Sequence, residues 1–188
     1  MFKLNKKEAE YYLIKIFDFI ENGDSKFKGH PGLYFFHTKT ELKEKINELL
    51  SENEYDEFDL YYITSLLIKF MLGRYDSHTK VSFKDNIYIP IDFTAEENSL
   101  YIANITPIYK KIIGCKLLKI NNIDIQKILC ELEEIICYST KEHLLVMIQS
   151  FLSDVNVLKS LPSIENNTKE FIYTILNDNN EKENITFN

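Results

Sequence analysis

The chain has 188 residues, of which 45% are hydrophobic and 27% charged, enough apolar material for one large or two small globular domains with a real core. Its net charge of -7 disfavours nucleic acid and anionic membranes as partners, because either requires a basic surface. No window approaches the length of apolar sequence that spans a bilayer. Near the start, Glu8, Glu10 and Asp18 interrupt the apolar stretch that a signal peptide would need. We therefore expect a cytoplasmic protein that binds neither nucleic acid nor membrane.

The cysteines and the loop histidines bear on redox state and metal binding. Cys115, Cys130 and Cys137 are odd in number and lie in apolar segments, which predicts reduced, buried thiols. His30 and His37 could be read as a pair of metal ligands, but no Cys, Asp or Glu joins them at ligand spacing. We therefore predict neither a metal nor a cofactor.

Three helices are predicted before the first sustained strand. The first covers Lys6 to Glu21, the second opens with Thr40 as its N-cap, and the third runs from Leu60 to a stop at Gly73. A short extended segment, Leu33 to Phe36, separates the first two. The apolar residues recur at helical spacing and predict these buried stripes: Tyr12, Leu13, Ile16, Phe17 and Ile20; Leu42, Ile46, Leu49 and Leu50; Leu60, Ile63, Leu66, Leu67, Phe70 and Met71. Residues 1–79 are thus predicted to be a helical subdomain.

The pattern becomes rich in strands from Lys80 onward, which predicts an α+β fold with a second domain over residues 80–188. Pro90 marks its strand as an edge strand or a bulge. The predicted strands are Val81 to Phe83, Ile87 to Phe93, Leu100 to Ile105, Lys116 to Ile120, and a final hairpin of Glu170 to Leu176 with Glu183 to Phe187. The predicted helices are Ile108 to Ile113, Ile125 to Cys137, Lys141 to Leu152 capped by Thr140, and Val155 to Leu161.

The junction between the third helix and the following strand carries an Asp-Ser-His-Thr sequence that ends at Thr79. A short corner between two packed elements fixes a side chain, as a general base requires, so His78 is the candidate base. Ser77 is its neighbour in sequence, and neighbouring side chains diverge, so Ser77 is a poor nucleophile for His78. The alternative interpretation is that the polar residues cap a turn and that His78 is structural.

A second segment, GCKLLKINNIDI, begins at Gly114 and contains the turn signal Asn121-Asn122. The histidine corner followed by this segment resembles the N-terminal half of the tricorn-type and C-terminal-processing (tail-specific) serine peptidases. The resemblance covers about Tyr34 to Phe187. In that family the segment belongs to a PDZ-like module. The matching positions here are Gly114, Leu117, Leu118, Ile120, Asn121, Asn122 and Ile125, with Asn122 where glycine is usual.

The resemblance implies roles for particular residues. It makes His78 the catalytic base of a serine peptidase, with Ser77 as an assisting polar neighbour. It places the nucleophile, the oxyanion hole and the supporting acid in a later domain that we expect to be missing from this chain. The sequence is consistent with a missing nucleophile, because it contains no Gly-x-Ser-x-Gly and none of its serines has a glycine neighbour. The chain alone is therefore expected to be inactive, and its implied partners are a peptide or unfolded protein substrate and the missing catalytic domain.

Three alternatives remain open from the sequence. In the first, the chain is a non-catalytic module that binds a peptide or protein at a strand edge, and His78 is structural. In the second, His143, in the first turn of a predicted helix, is the functional histidine. In the third, Cys115 is a nucleophile, which needs an exposed thiolate beside a histidine.

Overall fold

The computed structural model of the chain describes residues 3–22, 39–51, 57–72, 81–97, 99–165 and 167–187. It contains helices and antiparallel sheets, which confirms the predicted α+β class. The chain divides into two compact units, one made of residues 1–82 with 135–139 and the other of residues 83–134 with 140–188. None of the described helices is both long enough and apolar enough to cross a membrane.

The first unit is helical. Its helices are α1 (Lys6–Asn22), α2 (Lys39–Ser51) and α3 (Leu60–Leu72), and a small antiparallel ladder pairs β1 (Lys3–Leu4) with β2 (Phe58–Asp59). Asn5 and Glu8 cap α1 reciprocally: each backbone N–H donates to the other's side chain. Asp59 caps α3 by accepting from the N–H groups of Tyr61 and Tyr62. These caps fix where α1 and α3 begin.

Apolar stripes from all three helices form the core of this unit. The predicted stripe of α3 is confirmed, since Ile63, Leu67 and Met71 are fully buried and the other three members pack against them. Tyr12 is 42% exposed, so its predicted burial is wrong. The buried stripe of α1 repeats every fourth residue, through Ala9, Leu13 and Phe17, and Tyr12 lies beside it.

The start of α2 also differs from the prediction. Thr40 lies inside α2, whose first residue is Lys39, so Thr40 is not the N-cap. The predicted extended segment Leu33 to Phe36 and the C-cap Gly73 lie outside the described residues.

The second unit is built on an antiparallel sheet in the order β3-β4-β5-β7-β8, with the short β6 paired to β5. A 3-10 helix (Pro107–Ile112) follows β4, and α4, α5 and α6 lie between β6 and β7. The bounds are β3 (Ile91–Glu96), β4 (Ser99–Ile105), β5 (Lys116–Ile120), β6 (Ile123–Asp124), α4 (Ile125–Ile135), α5 (Lys141–Phe151), α6 (Val155–Ser160), β7 (Phe171–Leu176) and β8 (Lys182–Phe187).

Aromatic rings show that this sheet is strongly curled. The ring of Phe93 on β3 stacks on that of Tyr173 on β7 with centroids 5.9 Å apart, although β4 and β5 lie between their strands. In a flat sheet three strand spacings would separate these strands by roughly 14 Å. Phe187 on β8 packs edge-on against Tyr173 at 5.7 Å and against Tyr109 of the 3-10 helix at 5.8 Å. The inner face of the sheet thus closes around a row of aromatic side chains.

Several predicted elements of this unit are corrected. Val81 to Phe83 is not a strand, because alternation alone makes no ladder without a neighbouring strand. β3 starts at Ile91, just after Pro90, and extends to Glu96, beyond the predicted end at Phe93. α4 ends at Ile135, short of Cys137. The predicted hairpin at the end of the chain is present as β7 and β8.

Candidate functional site

The predicted catalytic corner lies outside the part of the chain that the structure describes. Its residues Ser77 and His78 fall in the stretch between Leu72 and Val81, and His30 and His37 also fall outside the described ranges. The helix leading to the corner is present as α3, whereas the strand predicted to follow it is not. The assignments of His78 and Ser77 therefore stay predictions from the sequence.

The two other predicted nucleophile or base candidates are placed by the structure. His143 lies half-buried in the first turn of α5, where its backbone N–H donates to the Thr140 side chain at 3.2 Å. This confirms Thr140 as the N-cap. Cys115 is buried, and its burial raises the pKa of the thiol, as do the carboxylates of Asp178 and Glu183. A thiol kept protonated in this way is a poor nucleophile, which argues against Cys115 as a catalytic residue.

The remaining cysteines and acids do not form a reactive cluster in the described ranges. Cys137 is buried as predicted, but Cys130 is exposed on the outer face of α4, so its predicted burial is wrong. Ile128 and Leu132 are buried on the opposite face of α4. Among the described residues, no group of three or more His, Cys, Asp or Glu side chains could hold a metal ion.

The segment from Gly114 to Ile125 forms the centre of the second unit. Gly114 has φ 87°, in the left-handed region that favours glycine, and its N–H donates to the carbonyl of Ile102 at 2.8 Å. Leu117 and Ile120 are fully buried in β5. The conformation and burial of this segment therefore follow from its place in the sheet.

The Asn121-Asn122 turn joins β5 to β6. Both residues have positive φ, 49° and 65°, as a two-residue type I′ hairpin requires. Asn121 also bridges to β7, because its N–H donates to the carbonyl of Ile172 and its Oδ1 accepts from the Ile172 N–H, each at 2.8 Å. A cleft of about 570 Å³ opens beside this turn, and its rim carries Glu165 and Lys169. None of the described residues that line this cleft is a histidine or a cysteine.

Sequence reasoning did not find the outer edge of β8, which is the terminal strand next to β7. The side chains of β8 are exposed apart from Ile185 and the half-buried Phe187. The hairpin signal was visible in the sequence, but the sheet order that leaves β8 at the end was not. Strand order depends on contacts between residues distant in the chain.

The chain was compared with protein-family models, curated proteins and solved structures. No family model and no curated protein matches it. Three solved structures of CPAF, a chlamydial tail-specific serine protease, match over 97% of this chain. A serine-to-alanine mutant and mature CPAF each match with a TM-score of 0.64, at 14% and 13% identity respectively. Mature CPAF complexed with lactacystin matches with a TM-score of 0.61 at 13% identity.

The matched region is only part of each CPAF chain. This chain covers 33% of the mutant and 34% of each of the other two, so it spans about a third of the structures it matches. Similarity at this level of identity shows the fold and not the activity. The chain therefore has a fold related to that of about one third of a serine protease.

Proposed function

We propose that this chain is the N-terminal part of a serine endopeptidase of the C-terminal-processing or tricorn type. In this proposal residues 1–79 supply the general base and residues 80–188 are a PDZ-like module that binds or gates an extended peptide. The observation that carries it is the fold likeness, which extends over 97% of this chain and about a third of CPAF. The family resemblance of the Asp-Ser-His-Thr corner and of the Gly114 to Ile125 segment supports the same assignment.

The proposed base is His78, with Ser77 as an assisting neighbour. Leu67 and Met71 anchor the last turns of α3 in the helical core, and His78 follows shortly after the end of that helix. In this proposal the base would take the proton of a serine hydroxyl as that oxygen attacks the peptide carbonyl. It would then return the proton to the leaving amine. The serine and the oxyanion hole would come from a catalytic domain outside this chain, so the chain alone is proposed to be inactive.

The proposed peptide-binding part is the antiparallel sheet of the second unit. Its terminal strands β3 and β8 belong to one sheet, and an extended peptide can bind a terminal strand through backbone hydrogen bonds. The substrate class would be unfolded protein or a peptide, because only an extended backbone can add to a strand. The proposal places this protein in the cytoplasm without a cofactor.

The test compares hydrolysis of β-casein, an unfolded protein, by this chain and by the complete product of its gene. We expect no hydrolysis by the chain alone. We expect the complete product to be active and His78→Ala to lower its kcat about 10²- to 10⁴-fold, the usual contribution of a general base. His143→Ala is the matched control and should stay within about twofold. Hydrolysis by the chain alone, or a complete product that tolerates His78→Ala, would contradict the proposal.

The second candidate is a non-catalytic peptide- or protein-binding module with a structural histidine. It is favoured by the lack of any glycine-flanked serine in the sequence. Under this alternative the complete gene product binds β-casein without cleaving it, and His78→Ala leaves that binding unchanged. Fluorescence anisotropy with labelled β-casein measures the binding, and the hydrolysis assay separates the two candidates.

A further inference from the structure

The backbone of β8 alternates between groups that face β7 and groups that face away from it. On β7, Ile172 directs both its N–H and its C=O toward Asn121. In an antiparallel ladder the residue opposite such a position also points its backbone groups outward. That residue is Thr186. Because the alternation repeats every two residues, Asn184 and Lys182 point their backbone groups to the same outer edge.

Among the described residues, β8 pairs only with β7, so no neighbouring strand covers these outward groups. The same reasoning applied to β3 gives Phe93 and Ala95 as its outward residues, because Ile102 faces β5. Both of those residues already take part in further interactions. The segment that leads into β3 already has a backbone hydrogen-bond partner, since Ile89 donates its N–H to the carbonyl of Ser153 at 2.8 Å. β8 therefore offers the more accessible of the two terminal edges.

The side chains beside this edge differ between its two faces. Lys182, Asn184 and Thr186 are exposed on one face. On the other face the half-buried ring of Phe187 contacts the half-buried ring of Tyr109 at 5.8 Å. Alternate side chains of an added strand would lie on this face, next to these two rings. The rings would give an apolar side chain of that strand a surface to pack on.

The charge at the turn end of this edge is negative, whereas Lys110 and Lys111 follow Tyr109 in the 3-10 helix beside the other end. Asp178 and Glu181 lie in the turn that leads into β8, and Glu183 lies on the strand itself. The negative charges of Asp178 and Glu183 also act on Cys115, because both carboxylates help to raise the pKa of its thiol. The only cation on the strand is Lys182. A peptide that carries a lysine or arginine next to the turn end of β8 complements this negative charge.

We propose that the outer edge of β8 accepts an extended peptide as an additional strand, and that the peptide combines alternating apolar side chains with at least one lysine or arginine. This inference rests on the proposed peptide binding and specifies which edge performs it. An apolar side chain of the peptide would sit on the rings of Phe187 and Tyr109. Its backbone would bond to Lys182, Asn184 and Thr186.

Amide hydrogen exchange by NMR tests the proposal on the unmodified chain. The probe is a ten-residue, end-blocked peptide in which valine alternates with serine and lysine. Without the peptide, the amides of Lys182, Asn184 and Thr186 should exchange much faster than those of Glu183, Ile185 and Phe187, which face β7. At saturating peptide, exchange at the first three should slow at least about tenfold, the factor that corresponds to about 1.4 kcal/mol.

Other patterns of protection would overturn the inference in distinguishable ways. Protection at Phe93 and Ala95 instead would show that the peptide binds β3, so the edge assignment fails while peptide binding stands. If neither this peptide nor β-casein binds, the proposed function itself fails. Protection of the β8 edge that grows with protein concentration in the absence of peptide would assign the edge to a second copy of this chain.

A pair of variants at Asn184 isolates the backbone N–H. Asn184→Pro removes the outward N–H without removing a bond to β7, and proline is tolerated at such edge positions. Asn184→Ala keeps the N–H and is the matched control, because both variants lose the same side-chain bond to Thr174. We expect the proline variant to bind the peptide at least about tenfold more weakly than the alanine variant. Equal affinities would overturn the proposal.

Discussion

The hydroxyl of Tyr173 donates a 2.8 Å hydrogen bond to the backbone carbonyl of Leu152, and both residues are fully buried. The bond joins β7 to the residue that ends α5. Burial raises the pKa of the Tyr173 phenol far above its usual range, so the group stays a neutral donor at physiological pH. The bond therefore fixes the end of α5 to the sheet without placing a charge in the core.

Replacing Tyr173 by phenylalanine should lower the free energy of unfolding by about 1–3 kcal/mol, because the carbonyl of Leu152 would lose its buried partner. Urea unfolding measures the change. Tyr88→Phe is the control: Tyr88 is exposed and accepts a bond from Asn86, so its loss should cost no more than about 0.5 kcal/mol. Equal effects of the two substitutions would show that the buried bond contributes nothing specific.

Asp154 should make the free energy of unfolding depend on pH. Its carboxylate accepts from the N–H groups of Asn156 and Val157, and burial nevertheless raises the pKa of the side chain. The folded state then keeps its proton to higher pH than the unfolded chain does. This contribution to stability is present at low pH and is lost as pH rises from about 3.9, the ordinary value, through the raised folded value.

Asp154→Asn keeps a capping oxygen without the titration, so its stability relative to the parent protein should increase as pH rises from about 3 to 7. Asp154→Ala loses the cap and should cost about 1 kcal/mol even at low pH. Thermal unfolding across this pH range measures both variants. A difference between Asp154→Asn and the parent that does not change with pH would contradict the prediction.

Asn122 occupies a left-handed position, with φ 65°, in the turn between β5 and β6. Asn122→Gly should raise the free energy of unfolding by up to about 1 kcal/mol, because glycine adopts this conformation without steric cost. Asn122→Ala should lower it by about 1–2 kcal/mol. The urea midpoint gives both values. An alanine variant as stable as the glycine variant would mean that the turn does not impose this conformation in solution.

Thiol labelling should distinguish Cys130 from the two buried cysteines. We expect one thiol per native chain to react quickly with an aromatic disulfide reagent, which releases a coloured nitrothiobenzoate, because only Cys130 is exposed. Cys130→Ser should abolish the fast phase, whereas Cys115→Ser should preserve it. All three thiols should react once the chain is unfolded in guanidinium chloride. Rapid labelling of more than one native thiol would contradict the described burial.

The sequence predicted well where a signal was local. The spacing in α3 indicated which side of the helix is buried, because three- and four-residue spacing places side chains on one face. The Asn121-Asn122 pair predicted the β5 to β6 turn, since asparagine tolerates positive φ. Thr140 was likewise identified as a cap from its neighbours alone. In each case the relevant interactions lie within a few residues of chain.

Two of the predictions that failed concerned pairing and burial, which a local pattern does not specify. Val81 to Phe83 alternates as a strand does but is not a strand in the structure, and Cys130 lies in an apolar segment yet faces outward from α4.

The sequence by itself thus determined the α+β class, the helical spacing and the turns, because these follow from short-range sterics and side-chain periodicity. Only the tertiary structure decided that β8 ends the sheet and that Lys182, Asn184 and Thr186 point their backbone groups outward. The physical reason is that strand order depends on contacts between distant residues. Hydrogen bonds such as those between Asn121 and Ile172, which are far apart in the chain, pair β7 with the β5 side and leave β8 at the end of the sheet.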